Sequence, residues 1–157
     1  MNGARQFGIF LENQPGRLAE VTATMAKAHV NIVGIDVVQA TEHSVLRLVL
    51  DDPGRARSLL KREGIAFSEN EVLVLDIENI PGALAEVAGK LARARINIEY
   101  AYGTTGAVSG RTRVILQVSD LMRARKVLEE HAARDANHPF YEKPRYFNRE
   151  GRRSGRN

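Results

Sequence analysis

The sequence has no cysteine. That absence removes a disulfide framework, a thiolate zinc site and a cysteine nucleophile together. No stretch approaches the roughly 18 apolar residues that a bilayer-spanning helix needs. Met1 to Gln6 also lack a basic segment followed by an apolar run, the pattern of a secretory leader. A soluble, cytoplasmic chain with no membrane partner is expected. An excess of charge of one sign is missing from most of the chain as well. The net charge is +4, yet residues 139–157 hold six bases (Lys143, Arg145, Arg149, Arg152, Arg153 and Arg156) against two acids (Glu142 and Glu150). Residues 1–138 therefore carry 17 charges of each sign. Such a body has no electrostatic footprint for a phosphate backbone, so nucleic acid is not an expected partner; only the basic tail has that character.

Catalytic and metal-binding patterns are absent too. His29, His43, His131 and His138 form no pair at metal-ligand spacing with carboxylates nearby, so neither a metal nor a cofactor is expected. Gly103, Gly106 and Gly110 lie between two predicted strands rather than between a strand and a helix, which reads as a long hairpin and not a phosphate loop. The acid pairs Asp51-Asp52 and Glu129-Glu130 sit at helix edges without a convergent partner and read as solvated charge. No nucleophile, base and orienter come together, and an enzyme is not expected.

What the chain does have is an internal repeat. Asn13, Pro15, Gly16, Leu18, Ala19, Glu20 and Val21 recur 66 residues later as Asn79, Pro81, Gly82, Leu84, Ala85, Glu86 and Val87, and Asn31-Ile32 recurs as Asn97-Ile98. After the longer Gly103 to Gly110 turn the offset becomes 68, pairing Leu50, Asp52, Ala56 and Leu60 with Val118, Asp120, Ala124 and Leu128. Domains are therefore expected at 1–69 and 70–138, followed by a tail at 139–157.

In the first copy Phe7, Ile9 and Leu11 alternate as in a strand with one buried face, and Leu73, Leu75 and Ile77 repeat the pattern. Leu18, Val21, Met25 and Ala28 form one stripe of a helix opening after Pro15-Gly16, matched by Leu84, Val87, Leu91 and Ala94. Strands follow at 31–40 and 45–50, a second helix after Pro53-Gly54, and a fourth strand at 65–67. The order β-α-β-β-α-β predicts an α+β chain of two tandem ferredoxin-like domains, each an antiparallel sheet with its helices on one face.

The segments Leu11-Glu12-Asn13-Gln14-Pro15-Gly16-Arg17-Leu18 and Val30-Asn31-Ile32 resemble the signature of ACT domains. Ile77-Glu78-Asn79-Ile80-Pro81-Gly82-Ala83-Leu84 and Ile96-Asn97-Ile98 carry it again, so the likeness covers residues 5 to about 130. The resemblance implies a ligand-sensing module that binds an amino acid or similar small carboxylate, often where two copies meet. Its implied partners are that ligand, a second copy in a homodimer and a regulated enzyme. The small regulatory subunit of acetolactate synthase is the alternative: its size and the Leu11 to Leu18 motif fit, but the repeated Pro-Gly turn departs from it.

The physical reading agrees. A Pro-Gly turn delivers the chain into a helix whose first amides have no intrahelical acceptor, and those amides suit a carboxylate. Asn offers one acceptor and two donors, enough to hold an ammonium and a carboxylate together. The candidate ligand-binding residues are thus Asn13, Pro15, Gly16, Arg17, Leu18, Asn31 and Ile32 in the first copy, and Asn79, Pro81, Gly82, Ala83, Leu84, Asn97 and Ile98 in the second. Asn13 is expected to work with Asn31 and Asn79 with Asn97, within a copy or across an interface.

Three further expectations follow. Gln14 and Arg17 make the first turn polar and cationic, so it should bind a carboxylate more tightly than the second. Phe10, Val45, Val49, Val74, Tyr100, Tyr102 and Ile115 on the helix-free sheet faces should be covered, by pairing of the two halves or by another subunit. By the repeat offset the last strand of the second copy would fall near Ala133 to Asp135, where strand character is poor, so either Phe140 to Phe147 replaces it or that strand is absent.

Overall fold

The computed structural model describes residues 2–12, 14–39, 43–104 and 110–135. In chain order the elements are β1 (Asn2–Glu12), α1 (Arg17–Lys27), β2 (Ile32–Gln39), β3 (His43–Leu50), α2 (Pro53–Arg62), β4 (Phe67–Glu78), α3 (Ala83–Arg93), β5 (Ile98–Thr104), β6 (Arg111–Val118) and α4 (Leu121–Asp135). Local chemistry starts the second helix of each copy. The Asp52 carboxylate accepts the Arg55 amide at 2.9 Å, with Pro53 in the first turn. Asp120 accepts the Arg123 amide at 2.9 Å in the same way.

Alternation then decides the packing. Phe7, Ile9 and Leu11 of β1 join Leu46, Leu48 and Leu50 of β3 beneath Val21 and Met25 of α1 and Leu59 and Leu60 of α2. A second core of the same design gathers Leu73 and Leu75, Val114, Leu116 and Val118, Leu91, and Ala124 and Leu128. Fully burying one such side chain contributes about 1.5–3 kcal/mol.

The strands form one antiparallel six-stranded sheet in the order β2-β3-β1-β4-β6-β5. Strand β4 runs through both units. Its first half pairs with β1 from Phe67↔Ile9 to Asn70↔Gln6 and completes the first unit. Its second half, Leu73 to Glu78, pairs with β6 and opens the second unit. The 69/70 position at which the repeat divides the chain thus lies inside a continuous strand. The fourth strand of the second unit comes from the N-terminus, where Asn2, Gly3 and Ala4 pair with Val74, Leu73 and Val72. No strand forms at Ala133 to Asp135, in keeping with their poor strand character: those residues continue α4. With its edge position already filled by β1, the second unit needs no strand after its second helix. Phe140 to Phe147 and the tail lie outside the described residues.

On the helix-free face the sheet curls until its edge strands β2 and β5 meet. Val49, Val72 and Ile115 form a small third core there, with Val33, Val74 and Tyr102 against it. A Cβ at Gly34 would overlap Ile115 Cδ1 and touch Tyr102, so glycine allows β2 to come this close. A bulge between Ile32 and Gly34 turns Val33 toward this face, while Ile35 and Val37 stay on the helix side, cross-strand from Leu48 and Leu46. The two halves therefore cover each other in part, but Phe10 remains 59% exposed.

Candidate functional site

Each Pro-Gly turn ends on a left-handed glycine that caps a helix: Gly16 has φ 92° and ψ −18°, and Gly82 has φ 94° and ψ −20°. An L-residue with a Cβ in this conformation costs about 1–2 kcal/mol. A Cβ on either glycine would meet nothing within 4 Å, so the backbone angle and not crowding demands glycine, and the face beyond it is open. The carbonyls of Gly16 and Gly82 accept the amides of Glu20 and Glu86 at 3.0 and 2.9 Å. The amides of Arg17 and Ala83 close the turns onto Gln14 and Ile80, at 3.5 and 3.3 Å. No side chain caps either helix. The amides of Leu18, Ala19, Leu84 and Ala85 have no acceptor among the described residues. Four donors at two positive helix ends are thereby available to an anion.

Leu18 and Leu84, the first members of their apolar stripes, are 41% and 47% exposed. They stand beside the turns rather than in the cores. In the first unit Ile35 and Val37 of β2, on the helix side of the sheet, are exposed as well. Pro15 and Pro81 are exposed within the turns, and Ala83 is half-buried at the start of α3. Asn79 is also exposed, and its amide donates to the Gly110 carbonyl at 2.9 Å. Asn13 lies outside the described residues.

Arg17 does not leave the first turn cationic. Its guanidinium is tied to Glu12 at 3.4 Å and to Glu20 at 2.9 Å. The stronger carboxylate affinity expected of this turn has no free charge behind it.

The structure does not bring Asn31 to the first turn. β1 and β2 run the same way, with α1 returning between them, so Asn31 begins β2 at the far end from Pro15-Gly16. Eleven residues of α1 separate the two levels, about 16 Å at 1.5 Å per residue. The Asn31 backbone there clasps Asp51, its amide donating to Oδ1 at 2.8 Å and its carbonyl accepting the Asp51 amide at 3.1 Å. Asn97 is placed alike in the second unit, with Ser119 as its partner. Ile32 and Ile98 pack against the two cores.

One polar cluster has no counterpart in the motif. Gln6, 2% exposed, donates to Tyr100 Oη at 2.6 Å and accepts from Tyr102 Oη at 2.8 Å. The Arg47 guanidinium lies 3.9 Å from the centre of the Tyr100 ring and bonds Asp36 at 3.0 Å. Burial, reinforced by Tyr100 and Asp36, raises the Tyr102 pKa well above the ordinary tyrosine value. The cluster joins β1, β2 and β3 to β5, so it locks the two halves together. Gln6, which follows Arg5 in the polar start of β1, carried no sequence signal of this role. Among the described residues no His, Asp and Glu group could hold a metal ion, and no helix is long and apolar enough to cross a membrane.

Two glycine-capped helices, related by an internal repeat and set on one shared sheet, define an ACT pair. The model of the ACT domain pair matches residues 2–135, and the chain belongs to that family. A solved structure of a Bacteroides thetaiotaomicron protein is 33% identical, with a TM-score of 0.76 over 82% of this chain and 88% of that one. The regulatory subunits of aspartate kinase from Thermus thermophilus and Thermus flavus share the fold at 18% identity. Their TM-scores are 0.60 and 0.55, over 83% of this chain and 93% and 92% of theirs. None of the curated protein sequences compared matches the chain.

Proposed function

We propose that this chain is a non-catalytic regulatory protein of the cytoplasm that binds an amino acid or similar small carboxylate at its Pro-Gly turns. The observation that carries this reading is the pair of open helix starts, each with two amides lacking an acceptor, beside an exposed leucine. The amides suit the ligand's carboxylate, and Leu18 or Leu84 suits its carbon skeleton.

The site extends to a second copy of the chain. β2 is a sheet edge whose Ile35, Val37 and Val38 are 38%, 49% and 37% exposed, an apolar strand fitted to pair with another. When two such edges pair antiparallel, the start of one strand lies beside the end of the other. Asn31, or Asn97 from β5, then arrives at the partner's turn. The distance between Asn31 and Gly16 within one chain is resolved this way, and a regulated enzyme would read the change in pairing.

Calorimetry of the full chain against the twenty amino acids tests the reading. One or a few should bind at micromolar to millimolar concentration. Asn13→Ala and Asn31→Ala should each weaken binding about ten- to a hundred-fold with the fold intact, since a hydrogen bond to a charged group contributes about 1.5–3 kcal/mol. Absence of any amino acid binding at millimolar concentration would refute it.

A further inference from the structure

The two units differ in how their helices meet. α3 packs directly on α4, whereas α1 and α2 leave a solvent-open cleft of about 520 Å³ between them. That volume lies within the range of small-molecule sites. The repeat shows why space remains. Thr24 and Ser58 line the cavity, and at the equivalent positions of the second unit, 66 and 68 residues on, stand Lys90 and Lys126. Lys90 is only 12% exposed and ion-paired to Glu86, so it fills its own helix pair where Thr24 does not.

The lining is cationic. Lys27, Arg55 and Arg62 carry fixed charge, His29 stands among them, and Glu63 is the one acid in the lining. Thr24 and Ser58 donate their hydroxyl protons to the Glu20 and Gly54 carbonyls, at 2.9 and 3.1 Å, and leave recognition to the bases. Carbonyls at the end of α1 would repel an anion, but Arg55 Nη1 donates to the Ala28 oxygen at 3.3 Å and closes that route. Arg55 also meets Asp52 and Arg62 meets Glu63, each through Nε, at 3.5 and 3.1 Å, so each guanidinium keeps donors for a further partner. Lys27 has no acidic partner among the described residues. Leu59 supplies an apolar floor.

We infer that this cavity is a second binding site, distinct from the Pro-Gly turns, for a phosphate-bearing small molecule. Asp52 and Glu63 offset two of the three fixed cations and leave the charge of Lys27 uncompensated, while the donors that both guanidiniums keep free form forks that fit phosphate oxygens.

Residue-resolved NMR of the full chain, titrated with inorganic pyrophosphate at constant ionic strength, tests the site apart from the basic tail. Saturable shifts of the Lys27–His29 and Arg55–Glu63 amides are expected. The Lys27→Gln/Arg62→Gln double variant should weaken binding about tenfold or more. Ser58→Glu, which sets a further carboxylate among the bases, should abolish it. The inference is overturned if these amides respond equally to sodium chloride or acetate, if shifts map only to residues 139–157 or to α3 and α4, or if Ser58→Glu binds as wild type does.

Discussion

Arg5 and Glu71 occupy the same position in the two copies, 66 residues apart, and face each other as register partners across β1 and β4, ion-paired at 3.2 Å. The internal twofold axis therefore passes between them, and each strand crosses it to finish the other unit's sheet. Removing residues 1–5 should open the second unit more than the first. Hydrogen exchange at Val72 and Val74 should accelerate about tenfold or more, while Leu46 and Leu48 keep their protection. Equal loss in both units would contradict the exchange of strands.

The axis also relates Arg57 to Arg125 and Glu69 to Gly3. Arg57 holds Glu69 through two hydrogen bonds, but Arg125 lies over Gly3 with its Nε buried and without a partner among the described residues. Gly3→Glu supplies the missing carboxylate, with the flexible end of Arg125 moving aside. A gain of about 0.5 kcal/mol in urea unfolding is expected, and Arg125→Gln in the same background should cancel it.

The Arg57 hydrogen bond holds the Glu69 carboxyl below its ordinary value, against the opposing effect of burial, with Arg5 adding attraction. A depressed carboxyl contributes stability that is present above its unfolded pKa of about 4.3 and lost as pH falls through the folded value. Glu69→Gln should lower stability at neutral pH and flatten the acid limb of a pH-dependent unfolding series. An unchanged acid limb would count against the pair.

Tyr102 sits on the opposite limb. Its pKa is raised by burial, so its contribution is complete below about pH 10, the unfolded value, and is lost as pH rises further. Tyr102→Phe should flatten the alkaline limb. At neutral pH it leaves Gln6 Oε1 without its donor, at a cost of about 1–3 kcal/mol in denaturant unfolding. Alkaline unfolding identical to wild type would remove Tyr102 from this role.

Both helix starts, both cores and the ferredoxin-like order were legible in the sequence, because Pro-Gly turns and the spacing of residues such as Phe7, Ile9 and Leu11 act locally. The exchange of strands was not. Asn2 to Ala4 carry no mark naming Val72 to Val74 as partners; that choice depends on which edge is vacant after folding. The placement of Asn31 escaped for a related reason. A motif gives spacing along the chain, while α1 carries Asn31 back to the far end of β2 before the strand begins. Arg17 looked free because its acidic neighbours, Glu12 and Glu20, are brought to it only by the turn between them.

The shared strands also constrain how the protein is made. Asn2 to Ala4 leave the ribosome some seventy residues ahead of Val72 to Val74 and must wait for them before they find their partners. The second unit then closes around a segment synthesised long before the rest of it. Closing a loop of some seventy residues is slow compared with pairing a hairpin. The chain cannot finish one half and then begin the other, and until β4 is complete the nascent N-terminal strand presents an unpaired edge to its surroundings.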